Sequence, residues 1–370
     1  MAVQRIDIDT FLSFNFALPI IDVRSEGEYA HAHIPGAISL PLFSNEERKI
    51  IGTTYKQESK QKAIKIGLAA FGKKMVQMVE AIDQLFEEKG KEKCLIIHCW
   101  RGGMRSAGVA WLFDLYGYKV YTLIGGYKAF RKWGINQFDI AYNLQILGGY
   151  TGSGKTYVLN ELERRNEVVI DLEGLANHKG SAFGKIGMPD QPSQELFENL
   201  LAVQLWRANN KCNEKQVEQE DEKANANEKK PFIWVEDESQ RIGTVNIPTP
   251  FFLQMRNTYV CFINIPFEQR LQHIMQGYGK AEKGILVNAI IRIQKRLGGM
   301  ETKNAIQFIL ENKIEDAFAI LLKYYDKLYL KGLLKRENLA DFLTKIECDK
   351  VEAAKNAYTI IHQQNETQHA

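Results

Sequence analysis

The sequence predicts an α/β protein: two successive domains built on parallel sheets, then a helical C-terminal region. Three observations carry this reading. Short apolar runs, among them Cys94-Leu95-Ile96-Ile97 and Val168-Val169-Ile170, have the length and composition of strands buried on both faces. Two such runs lead directly into glycine-rich loops followed by helical sequence, at residues 98–106 and 148–156. From about residue 286 to residue 370 the pattern is helical, with no strand-like alternation and no internal repeat.

The first domain, residues 1–135, alternates short strands and helices. Pro19-Ile20-Ile21-Asp22-Val23-Arg24 is apolar and ends in charge, as a buried strand does where it reaches a functional edge. Ser25-Glu26-Gly27-Glu28-Tyr29 starts a helix with acids in its first turn, and His33-Ile34-Pro35-Gly36-Ala37 is a Pro-Gly turn. After the first glycine-rich loop come an apolar helix over 107–117 and the strand Val120-Tyr121-Thr122-Leu123. Gly125-Gly126-Tyr127 closes that strand ahead of the segment 130–133.

The second domain, residues 136–285, opens with a strand carrying Leu144, Ile146 and Leu147, then the second loop and a helix. Further strands are expected at 167–171, 232–236 and 258–265. Residues 207–230 are almost wholly polar, with Val217 the lone large aliphatic. Such a stretch cannot bury enough apolar surface to order itself well, and it reads as a solvated helical extension or a mobile insertion. The helical region then occupies 286–370.

Composition narrows the function classes. No run approaches eighteen consecutive apolar residues, so no membrane span is expected. The N-terminal sequence lacks the basic start and apolar core of a signal peptide, which points to the cytoplasm. A net charge of +3 neither demands nor excludes nucleic acid. Five scattered cysteines form no CxxC pair and no metal spacing, so a single catalytic thiol among structural ones is the expectation.

That thiol is Cys99, in His98-Cys99-Trp100-Arg101-Gly102-Gly103-Met104-Arg105-Ser106. A cysteine between a buried strand and a helix start meets backbone N–H groups and a helix dipole that stabilise negative charge. Arg101 and Arg105 would add positive charge, and the two glycines would let the backbone curl. Cys94, inside an apolar run, reads as plain core. The loop and its upstream signature, Asp22-Val23-Arg24, Glu28-Tyr29, His33-Ile34-Pro35-Gly36-Ala37 and Pro41, resemble the rhodanese family over about 135 residues. The resemblance implies a rhodanese-like fold and a cysteine that accepts and donates sulfur as a persulfide. Five residues rather than the more usual four separate Cys99 from Arg105, a spacing shared with cysteine phosphatases. A larger oxyanion or a selenium-bearing group would suit such a loop.

The second loop, Gly148-Gly149-Tyr150-Thr151-Gly152-Ser153-Gly154-Lys155-Thr156, has the P-loop pattern between a strand and a helix, in a P-loop NTPase-like domain. Gly149, Gly152, Ser153 and Gly154 would present amides to phosphate oxygens, Lys155 would offset their charge, and Thr156 could hold Mg²⁺. The phosphate could belong to a nucleoside triphosphate or to any diphosphate ester. Asp171, Glu173 and Glu236, with Asp237 and Glu238, end strands where they could meet Mg²⁺ or a hydroxyl. His178, Lys179 and Ser181 lie in a polar glycine-rich loop, Ser239 and Arg241 follow the acidic strand end, and Arg270 follows the last strand; all are substrate candidates. Arg292, Lys295 and Arg296 share one helix face, while Ile290, Ile293 and Leu297 mark another for burial. That basic stripe is a candidate for RNA phosphates.

The order of these two domains, with 171–178, 236–239 and 292–299, resembles the bacterial tRNA 2-selenouridine synthase family over nearly the whole chain. The resemblance implies that wobble 2-thiouridine in tRNA becomes S-geranyl-2-thiouridine, with geranyl diphosphate, and then 2-selenouridine, with selenophosphate. It implies tRNA as partner and a selenophosphate-supplying enzyme as a further one; no tightly bound cofactor is expected, and the Mg²⁺ expectation comes from Thr156 in the P-loop pattern. The two loops also fit a bifunctional cysteine phosphatase and P-loop kinase, or a non-catalytic RNA-binding sulfur-relay module. Phosphate release without tRNA binding would favour the first, and indifference to Cys99→Ala the second.

Overall fold

The computed structural model describes residues 2–89, 93–221, 231–336 and 343–366. The chain forms two compact units, one of Met1–Gln137 with Glu198–Val203, the other of Phe138–Phe197 with Gln204–Ala370.

In the first unit the elements are β1 (Gln4–Ile6), α1 (Ile8–Ser13), β2 (Ile20–Asp22), α2 (Glu26–His31), β3 (Ile38–Ser39), α3 (Asn45–Gln57), α4 (Lys60–Lys89), β4 (Cys94–His98), α5 (Met104–Leu115), β5 (Lys119–Leu123) and α6 (Gly126–Gln137). The strands form one parallel sheet in the order β1-β5-β4-β2-β3. The apolar residues of β4 are 0–5% exposed, which accounts for its unbroken apolar sequence. Burial of each of its Leu and Ile side chains contributes about 1.5–3 kcal/mol, which holds this central strand in place for the loop that leaves its carboxyl end. Ser25 caps α2 through a capping box with Glu28, and Ser44 caps α3 in the same way with Glu47. These caps fix where both helices begin.

In the second unit come β6 (Leu144–Gly149), α7 (Lys155–Arg164), β7 (Val168–Ile170), α8 (Leu172–Ala176), α9 (Gln194–Asp221), β8 (Ile233–Glu236), β9 (Arg241–Ile242), β10 (Val245–Asn246), α10 (Thr249–Arg256), β11 (Val260–Asn264), α11 (Phe267–Tyr278), α12 (Lys283–Leu297), α13 (Gly299–Leu310), α14 (Ile314–Leu333), β12 (Leu343–Glu347) and α15 (Ala353–Glu366). The order of its parallel sheet is β12-β11-β6-β8-β7, and β9 and β10 form a small antiparallel pair. Leu147, Ile263 and Trp234 pack with Val158, Leu159 and Leu162 of α7 and with Ala357 and Ile360 of α15. A second apolar cluster joins α11 to α14, around Leu286, Ile290, Ala305, Phe318 and Leu321.

The C-terminal region is helical as expected, with one correction: Leu343–Glu347 is a strand, parallel to β11. It lies at the sheet edge and only Ile346 of it is buried, so neither alternation nor an apolar run marks it in the sequence. The polar stretch from 207 continues α9 to Asp221, with Cys212 buried and Val217 exposed; residues 222–230 lie outside the described residues. Among the described residues no helix is long and apolar enough to cross a membrane.

Candidate functional site

Each glycine-rich loop leaves the carboxyl end of an interior strand, where parallel sheets place their ligands. In the first unit β4 ends at His98, and Cys99 opens the loop that runs to Gly103, the N-cap of α5. The loop is pinned by its own backbone: Tyr127 N–H donates to Cys99 O at 2.9 Å, and Lys128 N–H to Trp100 O at 3.0 Å. Gly126 has φ +55°, and a Cβ there would stand 2.6 Å from Gly102 N, so the close approach of the two turns requires glycine.

Cys99 is 3% exposed. Its Sγ lies 3.3 Å from Ser106 Oγ and accepts from Gly103 N–H at 3.4 Å. Burial pushes the thiol up, but the Ser106 hydroxyl, the Gly103 and Ser106 amides and the Arg105 charge outweigh it and hold the thiol below its ordinary range. Cys94, Cys212, Cys261 and Cys348 are all buried, and burial pushes the last three thiols up to about 11, about 12 and about 11. Cys99 is thus lowered where Cys212, Cys261 and Cys348 are raised.

The two loop arginines are placed differently. Arg105 Nη1 donates to Glu28 Oε2 at 2.9 Å, so its charge is shared with that carboxylate. Arg101 is exposed. Beneath the signature sequence, Arg24 is buried and clamps Asp22 through Nε (3.0 Å) and Nη2 (2.6 Å), while its guanidinium stacks 3.9 Å from the Tyr127 ring. Arg24 thus ties the β2 end to the turn that holds the cysteine loop.

In the second unit Gly152 and Gly154 have φ +81° and +74°, which bend the loop into an arch ending at the first residue of α7. Lys155 Nζ donates to Gly149 O at 3.1 Å, and the Ser153 hydroxyl is buried without a partner. Thr156 Oγ1 donates to Glu173 Oε2 at 3.1 Å. Glu173 N–H in turn donates to Glu236 Oε1 at 2.8 Å, and the other Glu236 oxygen is buried without a partner.

These acids crowd one another. Burial, then Asp171 and Glu173, push Glu236 well above the usual carboxylate range. Burial and Glu173 push Glu238 up to about 8. Burial also raises Glu173, with Lys155 opposing. A cation beside them would relieve that cost. Among the described residues no three His, Cys, Asp or Glu side chains converge as a metal-ligand set. Thr156 with one carboxylate suits Mg²⁺ instead, since phosphate oxygens and water commonly supply its other ligands.

Other sequence candidates divide. Asp171 is the N-cap of α8, its Oδ1 accepting from Gly174 N–H at 2.7 Å. His178 is buried with Nδ1 unpartnered, and burial, then Arg292, lower its pKa. The Lys179 ammonium sits 5.5 Å from the Tyr278 ring, and Ser181 Oγ accepts from Phe183 N–H at 3.2 Å. Gly180 closes the gap between this loop and the acids: a Cβ on it would stand 2.8 Å from Glu173 Oε1 and 2.7 Å from Glu238 Oε2. The structure therefore brings the 178–184 loop and the P-loop to one cluster of carboxylates. Arg241 and Ser239 turn back on the β9–β10 hairpin, Arg241 Nε donating to Gly243 O and Ser239 Oγ to Arg241 O. Arg270 is 3% exposed, with its donors on Ile265 O, Thr151 O and Asp326, so it shapes the loop as a buried prop. On α12, Arg292, Lys295 and Arg296 are exposed while Ile290 and Leu297 are buried; Arg292 Nη2 also donates to Ala182 O at 3.1 Å.

Sequence reasoning missed Ser106, Tyr329, Asp326 and Arg336. Ser106 alone left a signal, standing one residue beyond Arg105 at the helix start, where a hydroxyl can turn back toward the thiol. The others lie far along the chain.

Residues 142–358 match the family described as tRNA 2-selenouridine synthase AAA domain, and residues 9–132 match the family described as Rhodanese-like domain. The tRNA 2-selenouridine synthase of Nitrosomonas eutropha is 32% identical, over 90% of this chain and 93% of its own. That of Bdellovibrio bacteriovorus is 31% identical, over 91% and 95%. That of Hydrogenovibrio crunogenus is 34% identical, over 88% and 92%.

Proposed function

This chain belongs to the tRNA 2-selenouridine synthase family, and on that premise we propose that it replaces sulfur by selenium at the wobble uridine of tRNA. In this reading 2-thiouridine is first alkylated by geranyl diphosphate, and selenium from selenophosphate then displaces the geranylated sulfur. One observation carries it: a lowered thiol and a phosphate cradle each stand at the carboxyl end of an interior strand of their own sheet.

In the first step the thiocarbonyl sulfur attacks C1 of the geranyl group. The C1–O bond breaks, diphosphate leaves and the N3 proton is released. Amides of Gly152 and Gly154 would stabilise charge on the departing diphosphate, with Lys155 exchanging Gly149 O for a phosphate oxygen. Mg²⁺, when bound, supplies further neutralisation of that charge, and Thr156 with Glu173 are the residues that would hold it. His178, Lys179 and Ser181 border the same cluster and are assigned to the substrate.

In the second step the selenium of selenophosphate adds at C2 and the C2–S bond breaks as the geranyl thiol leaves; water then cleaves the Se–P bond, releasing phosphate and returning a proton to N3. Alkylation makes this feasible because it turns a thiocarbonyl sulfur into a thiolate leaving group. Cys99, with Gly103 N–H and Arg105 beside it, would serve the selenium donor as part of the site that holds its oxyanion. Arg292, Lys295 and Arg296 offer exposed charge to tRNA phosphates.

The test is mass spectrometry of nucleosides from 2-thiouridine-containing tRNA, incubated with the protein and geranyl diphosphate, then with selenophosphate. The reading expects the geranylated nucleoside after the first addition and 2-selenouridine after the second. Selenouridine forming at full rate with no prenyl diphosphate present would overturn it.

A further inference from the structure

One helix holds the P-loop at two points. On α14, Asp326 and Tyr329 are three residues apart and Tyr325 and Tyr329 four apart, so all three share a face. Tyr329 Oη accepts from Gly149 N–H at 3.2 Å and donates to Asp237 Oδ2 at 2.7 Å. Asp237 is fixed on its other oxygen by Arg336 Nη2 at 2.6 Å. Asp326 takes both Nη atoms of Arg270 at 2.8 Å, and Arg270 Nη1 also donates to Thr151 O at 3.0 Å. Between the anchors, the Tyr150 ring packs 5.8 Å from that of Tyr329 and 5.0 Å from the Arg270 guanidinium. Tyr325 Oη accepts from Ala182 N–H at 3.0 Å, which ties the 178–184 loop to the same face.

We infer that Tyr329 and Asp326 are positioning residues for the diphosphate cradle, fixing Gly149 and Thr151 so that the amides beyond them are set before the anion arrives. The inference rests on the diphosphate reading above. Its physical basis is entropic. A loop with glycines at four of the nine positions 148–156 loses much backbone freedom when it closes on an anion. Anchors already engaged in the free protein remove that cost from the binding step. Both anchors act on the loop's backbone, through Gly149 N–H and Thr151 O, and leave the amides of Gly152 and Gly154 to the anion, while Ser153 N–H closes the turn on Tyr150 O at 3.1 Å.

The experiment uses the full chain and inorganic pyrophosphate as probe, titrated by calorimetry into wild type, Tyr329→Phe and Asp326→Asn, with melting curves and prenyl-diphosphate kinetics alongside. Tyr329→Phe keeps the ring packing and removes one acceptor from the loop. It is expected to weaken pyrophosphate binding about two- to tenfold, the range for one hydrogen bond. KM for the prenyl diphosphate should rise by the same factor while kcat at saturation holds, a split that general loosening of the fold would not produce. Asp326→Asn should act in the same direction. Wild-type affinity in a folded Tyr329→Phe overturns the inference; if that variant does not fold, wild-type affinity in Asp326→Asn does so. A wild type that fails to bind pyrophosphate sinks the diphosphate reading and this inference with it. A wild type that binds, with both variants its equal, sinks the positioning role alone.

Discussion

Ser106 Oγ stands 3.3 Å from Cys99 Sγ, at the start of the helix that the cysteine loop feeds. This hydroxyl, ahead of the Gly103 amide and of Arg105, is the strongest influence opposing the burial of the thiol. Acidity at Cys99 is thus made mainly by hydrogen bonds within its own loop, and the arginines that dominate the sequence are secondary.

Ser106→Ala should therefore raise the Cys99 thiol toward ordinary cysteine. A hydrogen bond to a charged group contributes about 1.5–3 kcal/mol, so reaction with a small alkylating agent at neutral pH should slow roughly tenfold or more. The midpoint of rate against pH should move to higher pH, with the plateau at high pH retained. Mass spectrometry of the labelled peptide separates Cys99 from the other thiols. An unchanged midpoint would remove Ser106 from the account.

Glu28 gives a pH dependence of stability. Burial pushes its carboxyl up, but Arg105, the Ser25 amide and Arg48 outweigh burial and hold it at about 2, against an ordinary 4.5. A carboxyl lowered on folding stabilises the native state above its unfolded value, and the gain disappears as pH falls from about 4.5 to about 2. Glu28→Gln should destabilise the first unit at neutral pH, by on the order of 3 kcal/mol at most. Denaturant curves of the two proteins should converge as the pH falls through that window. A difference that stays constant with pH would contradict the ion pair.

What the sequence made legible, and what it did not, follows from where the signal is stored. Buried parallel strands such as β4 and β6 write their burial into consecutive apolar residues, so both loops and the elements beside them could be placed. Leu343–Glu347 escaped because an edge strand with one buried residue writes no pattern. Arg270 looked like a ligand by its place after β11, yet its charge is spent on Asp326, a partner 56 positions away. Gly149 and Tyr329 are 180 positions apart, and no local period could join them. Local chemistry was readable, whereas long-range support needed the fold.

Gly126 offers a test of the close approach behind the cysteine loop. Gly36 and Gly126 both have positive φ, +80° and +55°, but a Cβ at Gly36 meets nothing within 4 Å. One at Gly126 meets the Cys99 carbonyl oxygen and stands 2.6 Å from Gly102 N. Gly36→Ala should cost about 1 kcal/mol from backbone strain alone. Gly126→Ala should cost clearly more, roughly 2–4 kcal/mol, and should slow Cys99 alkylation as the loop shifts. Equal costs in chemical denaturation would mean that the two turns can move apart freely.

The assignment of one chemical step to each loop makes opposite demands on two single variants. Lys155 Nζ lies 3.1 Å from Gly149 O and would carry charge stabilisation for a leaving diphosphate, whereas Cys99 has its lowered thiol at the end of a different sheet. Lys155→Ala should therefore abolish geranylated nucleoside, with a loss of about a hundredfold or more, as for removal of one preorganised electrostatic group. Cys99→Ala should leave geranylation intact, so that S-geranyl-2-thiouridine accumulates and selenouridine does not appear. Supplying pre-geranylated tRNA isolates the second step: Lys155→Ala should then form selenouridine at near the wild-type rate, and Cys99→Ala should not. If Cys99→Ala lost geranylation while Lys155→Ala retained it, the steps would be assigned to the wrong loops. Failure of both variants in both steps would point to one shared catalytic event, because each loop would then be needed throughout.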